Sequence, residues 1–149
     1  MNGETMWFTC KSKLVTLGGV AALTAGLLMT GASPAPAVAV NDDFSFSRPP
    51  LEIQGVYETL VTNETKNKTA GYARWISDGD KLIAHDGLAD GYAIVAHLSD
   101  GRTASTQGIE SPATGTATGD LPENHTYKMW VCAVKGSFSR CSPERDVKS

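Results

Sequence analysis

The chain has 149 residues, a formal net charge of −3 and three cysteines. That length bounds the molecule to one modest domain, and the mixed charge with no basic run argues against nucleic acid or an anionic membrane surface as its partner.

The N-terminal part reads as a secretory signal. Lys11 and Lys13 form a positive segment, and an uncharged run from Leu14 to Met29 follows. Next come Pro34 and Pro36 and then the small-residue site Ala37-Val38-Ala39. The run is shorter than the roughly 20 residues that span a bilayer, and small side chains at Ala37 and Ala39 suit signal peptidase. The expected cut lies between Ala39 and Val40, with Ala37 as the alternative. The segment before Lys11 is long for this role, and a start at Met6 would shorten it. Cys10 precedes the apolar run, so it does not sit where a lipoprotein cysteine is acylated. Cleavage removes Lys11, Lys13 and Glu4, making the remainder one unit more acidic. The expected organisation is a signal over 1–39, a flexible arm over 40–50 and one β-rich domain over 51–149, secreted and without a membrane span after cleavage.

The arm is polar and ends in Pro49-Pro50, with Phe44 and Phe46 as its large apolar residues. Over Leu51–Thr62 the signals are mixed. Ile53, Val56, Tyr57, Leu60 and Val61 fit one helix face, whereas Gly55, Val56, Tyr57 and Thr59 favour a strand, which we take as the expectation. Residues 63–69 form a polar turn or loop. Strands are predicted over 71–76 and 81–86, separated by the turn Ser77-Asp78-Gly79-Asp80. After a turn over 87–91, Tyr92–Leu98 is the longest clear strand. Asp100-Gly101 then joins it to an antiparallel strand over 102–107. Residues 108–122, rich in Gly, Thr and Ala, read as a long loop or a weak edge strand. Thr126–Val134 is a strong strand, with Phe138–Cys141 pairing back on it.

Short strands with turn signals every 8–12 residues predict an all-β fold, a small antiparallel sandwich or barrel. The expected core contains Trp75, Ile83, Ile94, Val95, Leu98, Trp130, Val131 and Val134.

After export only Cys132 and Cys141 remain, and an even count outside the cell predicts a disulfide. Gly136-Ser137 lies midway between them and suits a type II′ turn with glycine first. That register places Cys132 opposite Cys141 at a non-hydrogen-bonded pair, where Cα atoms approach to about 4.5 Å. Closing so short a loop contributes roughly 2–3 kcal/mol in the chain-entropy treatment.

The run Ala73-Arg74-Trp75-Ile76-Ser77-Asp78-Gly79-Asp80-Lys81-Leu82 is followed by Asp86-x-x-Ala89-Asp90-Gly91-Tyr92. Together with Leu121-Pro122-Glu123 and the late pairs Val131-Cys132 and Arg140-Cys141, it resembles small secreted β-domain proteins of streptomycetes and related actinobacteria. The resemblance covers about residues 70–142. It implies a secreted β-domain with a closing disulfide hairpin, and it carries over no activity and no functional residue.

Three sets of side chains carry candidate chemistry. Asp78, Asp80, Asp86 and Asp90 bring four carboxylates close together in sequence, as calcium requires; Asp-Gly pairs also build turns by bonding local amides. No other cofactor is implied. His85, His97 and His125 are the candidates for a general base, at spacings that match no zinc motif. Tyr57, Tyr72, Trp75, Tyr92, Tyr127 and Trp130 are the candidate aromatic platform for a sugar, with Tyr72, Tyr92 and Trp130 foremost; such rings also serve cross-strand packing. Asn63, Asn67 and Asn124 fit the N-glycosylation pattern and suggest exposed loops.

The leading expectation is a non-enzymatic extracellular binding module whose partner is a protein or a polysaccharide. One alternative is an inhibitor of an extracellular hydrolase, presenting residues 108–124 or the hairpin tip Lys135–Phe138. The other is a small hydrolase, which requires a histidine to meet a carboxylate in a cleft.

Overall fold

The computed structural model describes residues 40–49 and 53–149, so the expected signal over 1–39 and its expected cleavage site lie outside the described residues. Ten strands follow in chain order. They are β1 (Phe44–Ser47), β2 (Val56–Asn63), β3 (Lys68–Ile76), β4 (Lys81–Asp86) and β5 (Ala93–Leu98). Then come β6 (Thr103–Ser105), β7 (Ala113–Ala117), β8 (Thr126–Lys135), β9 (Phe138–Cys141) and β10 (Arg145–Lys148). They form two antiparallel sheets in a sandwich-like arrangement, one ordered β1-β2-β3-β4-β7 and the other β10-β8-β5-β6, with β9 also pairing β8.

Side-chain alternation decides which residues enter the space between the sheets. From the first sheet Val61, Ala73, Trp75, Leu82 and Ala84 point inward and are fully buried. From the second, Ile94, Ala96, Leu98, Met129, Val131 and Ala133 meet them. The Trp75 indole also donates its Nε1–H to the Lys148 carbonyl at 2.7 Å, which satisfies its one polar atom inside the core.

Four of the expected core residues face outward instead; one is Val95, which alternates with Ile94 and Ala96 and lies opposite Cys132, 6 % exposed. Ile83 stands between Leu82 and Ala84, and Trp130 and Val134 stand out of phase with Met129, Val131 and Ala133; all three are only half-buried. Hydrophobicity marked them, but a period of two assigns them to the other face.

The arm over 40–50 is also corrected in part. Phe44-Ser45-Phe46-Ser47 alternates apolar and polar, and it pairs with β2 from Phe44↔Asn63 to Ser47↔Leu60. Phe44 is buried, in edge contact with Tyr92 at 4.8 Å between ring centroids. The mixed segment after it is a strand from Val56 onward, and the Gly/Thr/Ala-rich stretch contributes the edge strand β7.

The two long sides of the sandwich close differently. Along one, the rings of Phe44, Tyr92 and Phe138 fill the gap between β1 and β9. Along the other, β7 presents only Ala113, Gly115 and Ala117 inward, and its backbone comes against β6. A Cβ on Gly115 would lie 2.1 Å from the Ser105 carbonyl oxygen.

The β8–β9 hairpin has the expected register, with Lys135↔Phe138 at the tip and Cys132↔Cys141 at the base. Gly136 has φ +56° and Ser137 does not have positive φ, as a type II′ turn requires. The Cys132–Cys141 disulfide is present, with Cα atoms 4.0 Å apart.

Candidate functional site

A cleft of about 410 Å³ opens at one end of the sandwich. One wall is the connection from β4 to β5, contributing Ala89, Gly91 and Tyr92; the other is the connection from β6 to β7, contributing Gly108, Ile109, Glu110 and Ser111. Asp86, the last residue of β4, and Thr106 are buried and also line it. Its volume falls within the roughly 300–1,000 Å³ typical of small-molecule sites.

Local chemistry shapes both walls. Near the start of β3 a register shift gives Ala70 no partner on β2, and its carbonyl accepts from the Gly87 amide at 2.8 Å. That bond turns the chain out of β4. Asp86 then accepts from the Leu88 amide at 3.1 Å and from the Ser111 hydroxyl, so one carboxylate ties the two walls together. Asp90 accepts from the Tyr92 amide at 3.0 Å. Thr106 closes the floor by accepting from the Ile94 amide at 2.9 Å.

Behind this wall lies a polar network. Asn63 is fully buried and donates both protons of its side-chain amide, to Asp42 and to Asp90, at 2.7 Å each. The Asn63 bond, and then Lys66 at 3.1 Å, hold the Asp42 carboxyl below its ordinary pKa. The Asp42 amide donates to the Tyr92 hydroxyl at 2.7 Å. Asn63 is therefore an internal bridge and not an exposed acceptor, in contrast to Asn67 and Asn124, which are exposed at positive φ. Asn-x-Thr describes a local pattern and has no means of registering a carboxylate from each of two distant segments.

The four aspartates suggested for calcium are divided between the two ends of β4, a strand of six residues spanning roughly 17–20 Å. Asp78 is exposed in the β3–β4 turn. Asp80 is buried there, accepting from the Leu121 amide at 2.6 Å through Oδ2, while its buried Oδ1 has no hydrogen-bond partner among the described residues. Asp86 and Asp90 belong to the far end, committed to the bonds already given. No three acidic, histidine or cysteine side chains converge as metal ligands among the described residues.

The histidines are equally dispersed. His85 lies on the outer face of the first sheet, its Nδ1 2.9 Å from the Thr114 hydroxyl and its ring stacked on Tyr72. His97 lies on the outer face of the second sheet, stacked on Trp130 with ring centroids 5.1 Å apart and planes nearly parallel, and burial pushes its pKa down. His125 is exposed just before β8. None of the three lines the cleft.

The aromatic candidates also part company. Trp75 is in the core. Tyr72 carries His85 against its ring and the Arg74 guanidinium 4.6 Å from its centroid, so it does not offer a bare face. Trp130 belongs to the opposite sheet. Of the three foremost residues only Tyr92 lines the cleft; it is 4 % exposed, contributing part of a wall rather than an open platform. Ile109, 56 % exposed, and Glu110 are the side chains most available to a ligand there. Sequence reading missed both, because an isolated Ile-Glu in a loop has no motif to mark it.

The chain matches no protein-family model, no curated protein and no solved structure.

Proposed function

We propose that the domain is an extracellular, non-enzymatic binding module, and that the cleft between the β4–β5 and β6–β7 connections receives a short segment of polysaccharide. The carrying observation is the cleft itself: about 410 Å³, lined by two carboxylates, Thr106 and Ser111, Tyr92, Ile109 and four small residues, with no basic side chain among the described residues that line it. The exposed Glu110 offers carboxylate oxygens that accept from sugar hydroxyls, and together with Asp86 it disfavours an anionic ligand. Ala89, Gly91, Ala93 and Gly108 leave room for a ring to approach the backbone. The secretory signal and the disulfide support the extracellular setting.

The test is calorimetric titration of neutral, amino-bearing and acidic oligosaccharides into the protein, repeated with Ile109→Ala and Glu110→Ala. Both side chains are exposed, so these changes spare the core. The expected result is binding of a neutral or amino-bearing oligosaccharide that weakens about tenfold in each variant, equivalent to the loss of one good contact. Binding that ignores both variants, or none at all, overturns the proposal.

Inhibition of an extracellular hydrolase stands as the second reading, favoured by the exposure of Ile109 on the 108–124 segment. A stable complex with a protease or glycosidase on size exclusion, lost in Ile109→Ala, would replace the first reading.

A further inference from the structure

The tip of the β8–β9 hairpin lies against the cleft wall. The Phe138 ring meets the Tyr92 ring edge-on, with centroids 5.5 Å apart. The Lys135 ammonium sits 4.7 Å from the Tyr92 ring centroid. Lys135 Nζ is also 3.4 Å from where a Cβ on Gly91 would stand. Gly91 and Tyr92 both line the cleft. Two residues that face each other across the turn, Lys135 and Phe138, therefore press on one wall of the site.

The base of β9 is held by Ser142, whose amide donates to the Val131 carbonyl at 2.8 Å and whose hydroxyl accepts from the Val131 amide at 3.1 Å; among the described residues the tip has no such bonds beyond the turn. β9 has four residues, pairs only with β8, and Phe138 alone among them is half-buried; Ser139, Arg140 and Cys141 are exposed. β9 is the outer edge of a ribbon with β8 and β5, and so short an edge with exposed side chains belongs to the low-stability end of a fold. The Cys132–Cys141 disulfide closes the base of the hairpin. By contrast, β8 is paired with β5 from Met129 to Val134 independently of the disulfide, while β10 covers its other edge only over Thr126–Met129.

We infer that the β8–β9 hairpin is a clamp on the Gly91–Tyr92 wall, locked by Cys132–Cys141 and released when a dithiol reduces that bond. The effect on ligand affinity rests on the reading of the cleft as the binding site; the clamp itself does not. Cys132 is 4 % exposed whereas Cys141 is open to solvent, so the incoming thiolate attacks Cys141 Sγ. A mixed disulfide forms on Cys141, the Cys132–Cys141 bond breaks, and Cys132 leaves as a thiolate that takes up a proton. The second thiol of the dithiol then displaces Cys141, which also ends as a thiol. The dithiol leaves as its own disulfide, having supplied two electrons and two protons. Without the cross-link the β9 edge frays, and Tyr92 loses the support of Phe138 and Lys135 while keeping Phe44 and the Asp42 amide.

Hydrogen–deuterium exchange read by mass spectrometry tests this without any ligand, on the oxidised protein, the dithiothreitol-reduced protein and Phe138→Ala with the disulfide intact. Reduction should speed exchange about tenfold in residues 88–93 as well as in 136–141, with β3 unchanged, as local opening predicts. Phe138→Ala should reproduce the acceleration at 88–93 in part. Acceleration confined to 136–141 overturns the clamp, as does an equal acceleration through β3 or a silent Phe138→Ala. A positive exchange result with no oligosaccharide binding would retire the cleft reading and leave the clamp standing; if an oligosaccharide binds, its affinity should fall on reduction.

Discussion

Asn63 shows how one side chain can organise a surface that its sequence neighbours do not foretell. Its amide holds Asp42 and Asp90 together behind the Tyr92 wall, and its carbonyl accepts from the Lys66 amide at 3.0 Å. Asn63→Ala would leave two carboxylates facing each other without a donor between them. We expect a loss of roughly 2–3 kcal/mol in urea denaturation, the usual cost of stranding charged acceptors. A loss below a few tenths would mean that water replaces the amide. The stacked His97 gives a second expectation, with a definite sign. Its folded pKa is depressed by burial, so protons bind the unfolded chain first. Its contribution to stability is present above the ordinary histidine pKa of 6.5 and is lost as pH falls through the lower, folded value. Melting temperatures of wild type and His97→Gln should diverge between neutral pH and about pH 5, the wild type falling more steeply. Parallel curves would remove His97 from the acid response.

Among the elements, the β6–β7 side tolerates substitution poorly. Gly115 has no room for a Cβ because the Ser105 backbone occupies that place. Gly115→Ala must push β7 away from β6 or distort both, and we expect a destabilisation of about 2 kcal/mol or more, as overpacking of a rigid backbone gives. The outward neighbour Thr116, exposed on the same strand, is the control: Thr116→Ala should change the melting temperature little. If the two variants melt alike, the close approach of β6 and β7 is not a constraint in solution. At this scale much of the fold was legible. The Gly136-Ser137 turn, the hairpin register and the disulfide follow from spacing alone, since a two-residue turn fixes every pair behind it. The Phe44–Ser47 strand was legible in its alternation, yet the flanking prolines and polar residues masked so short a pattern.

For the whole molecule, composition, turn spacing and cysteine count determined an antiparallel β-domain closed by a C-terminal disulfide hairpin, because strand periodicity, turn chemistry and a short cross-link are local properties. Which face each strand presents was only half determined: Ile83, Trp130 and Val134 are as apolar as core residues, and only the pairing of Trp75 with Leu82 and the inward run Met129, Val131, Ala133 reveals that they stand outside. The candidate site was hardly legible at all. Sequence marks Tyr92 for a sugar, but on an open platform it does not form, and Asp86 for calcium; Ile109 and Glu110 enter from the next connection, and Asn63 and Asp42 brace the wall through bonds spanning 21 to 50 positions of chain. Long-range proximity is set by how two sheets pack and where their connecting loops return. No local pattern encodes it, so the tertiary structure alone decided where the cleft opens, which carboxylates enter it and what braces its wall.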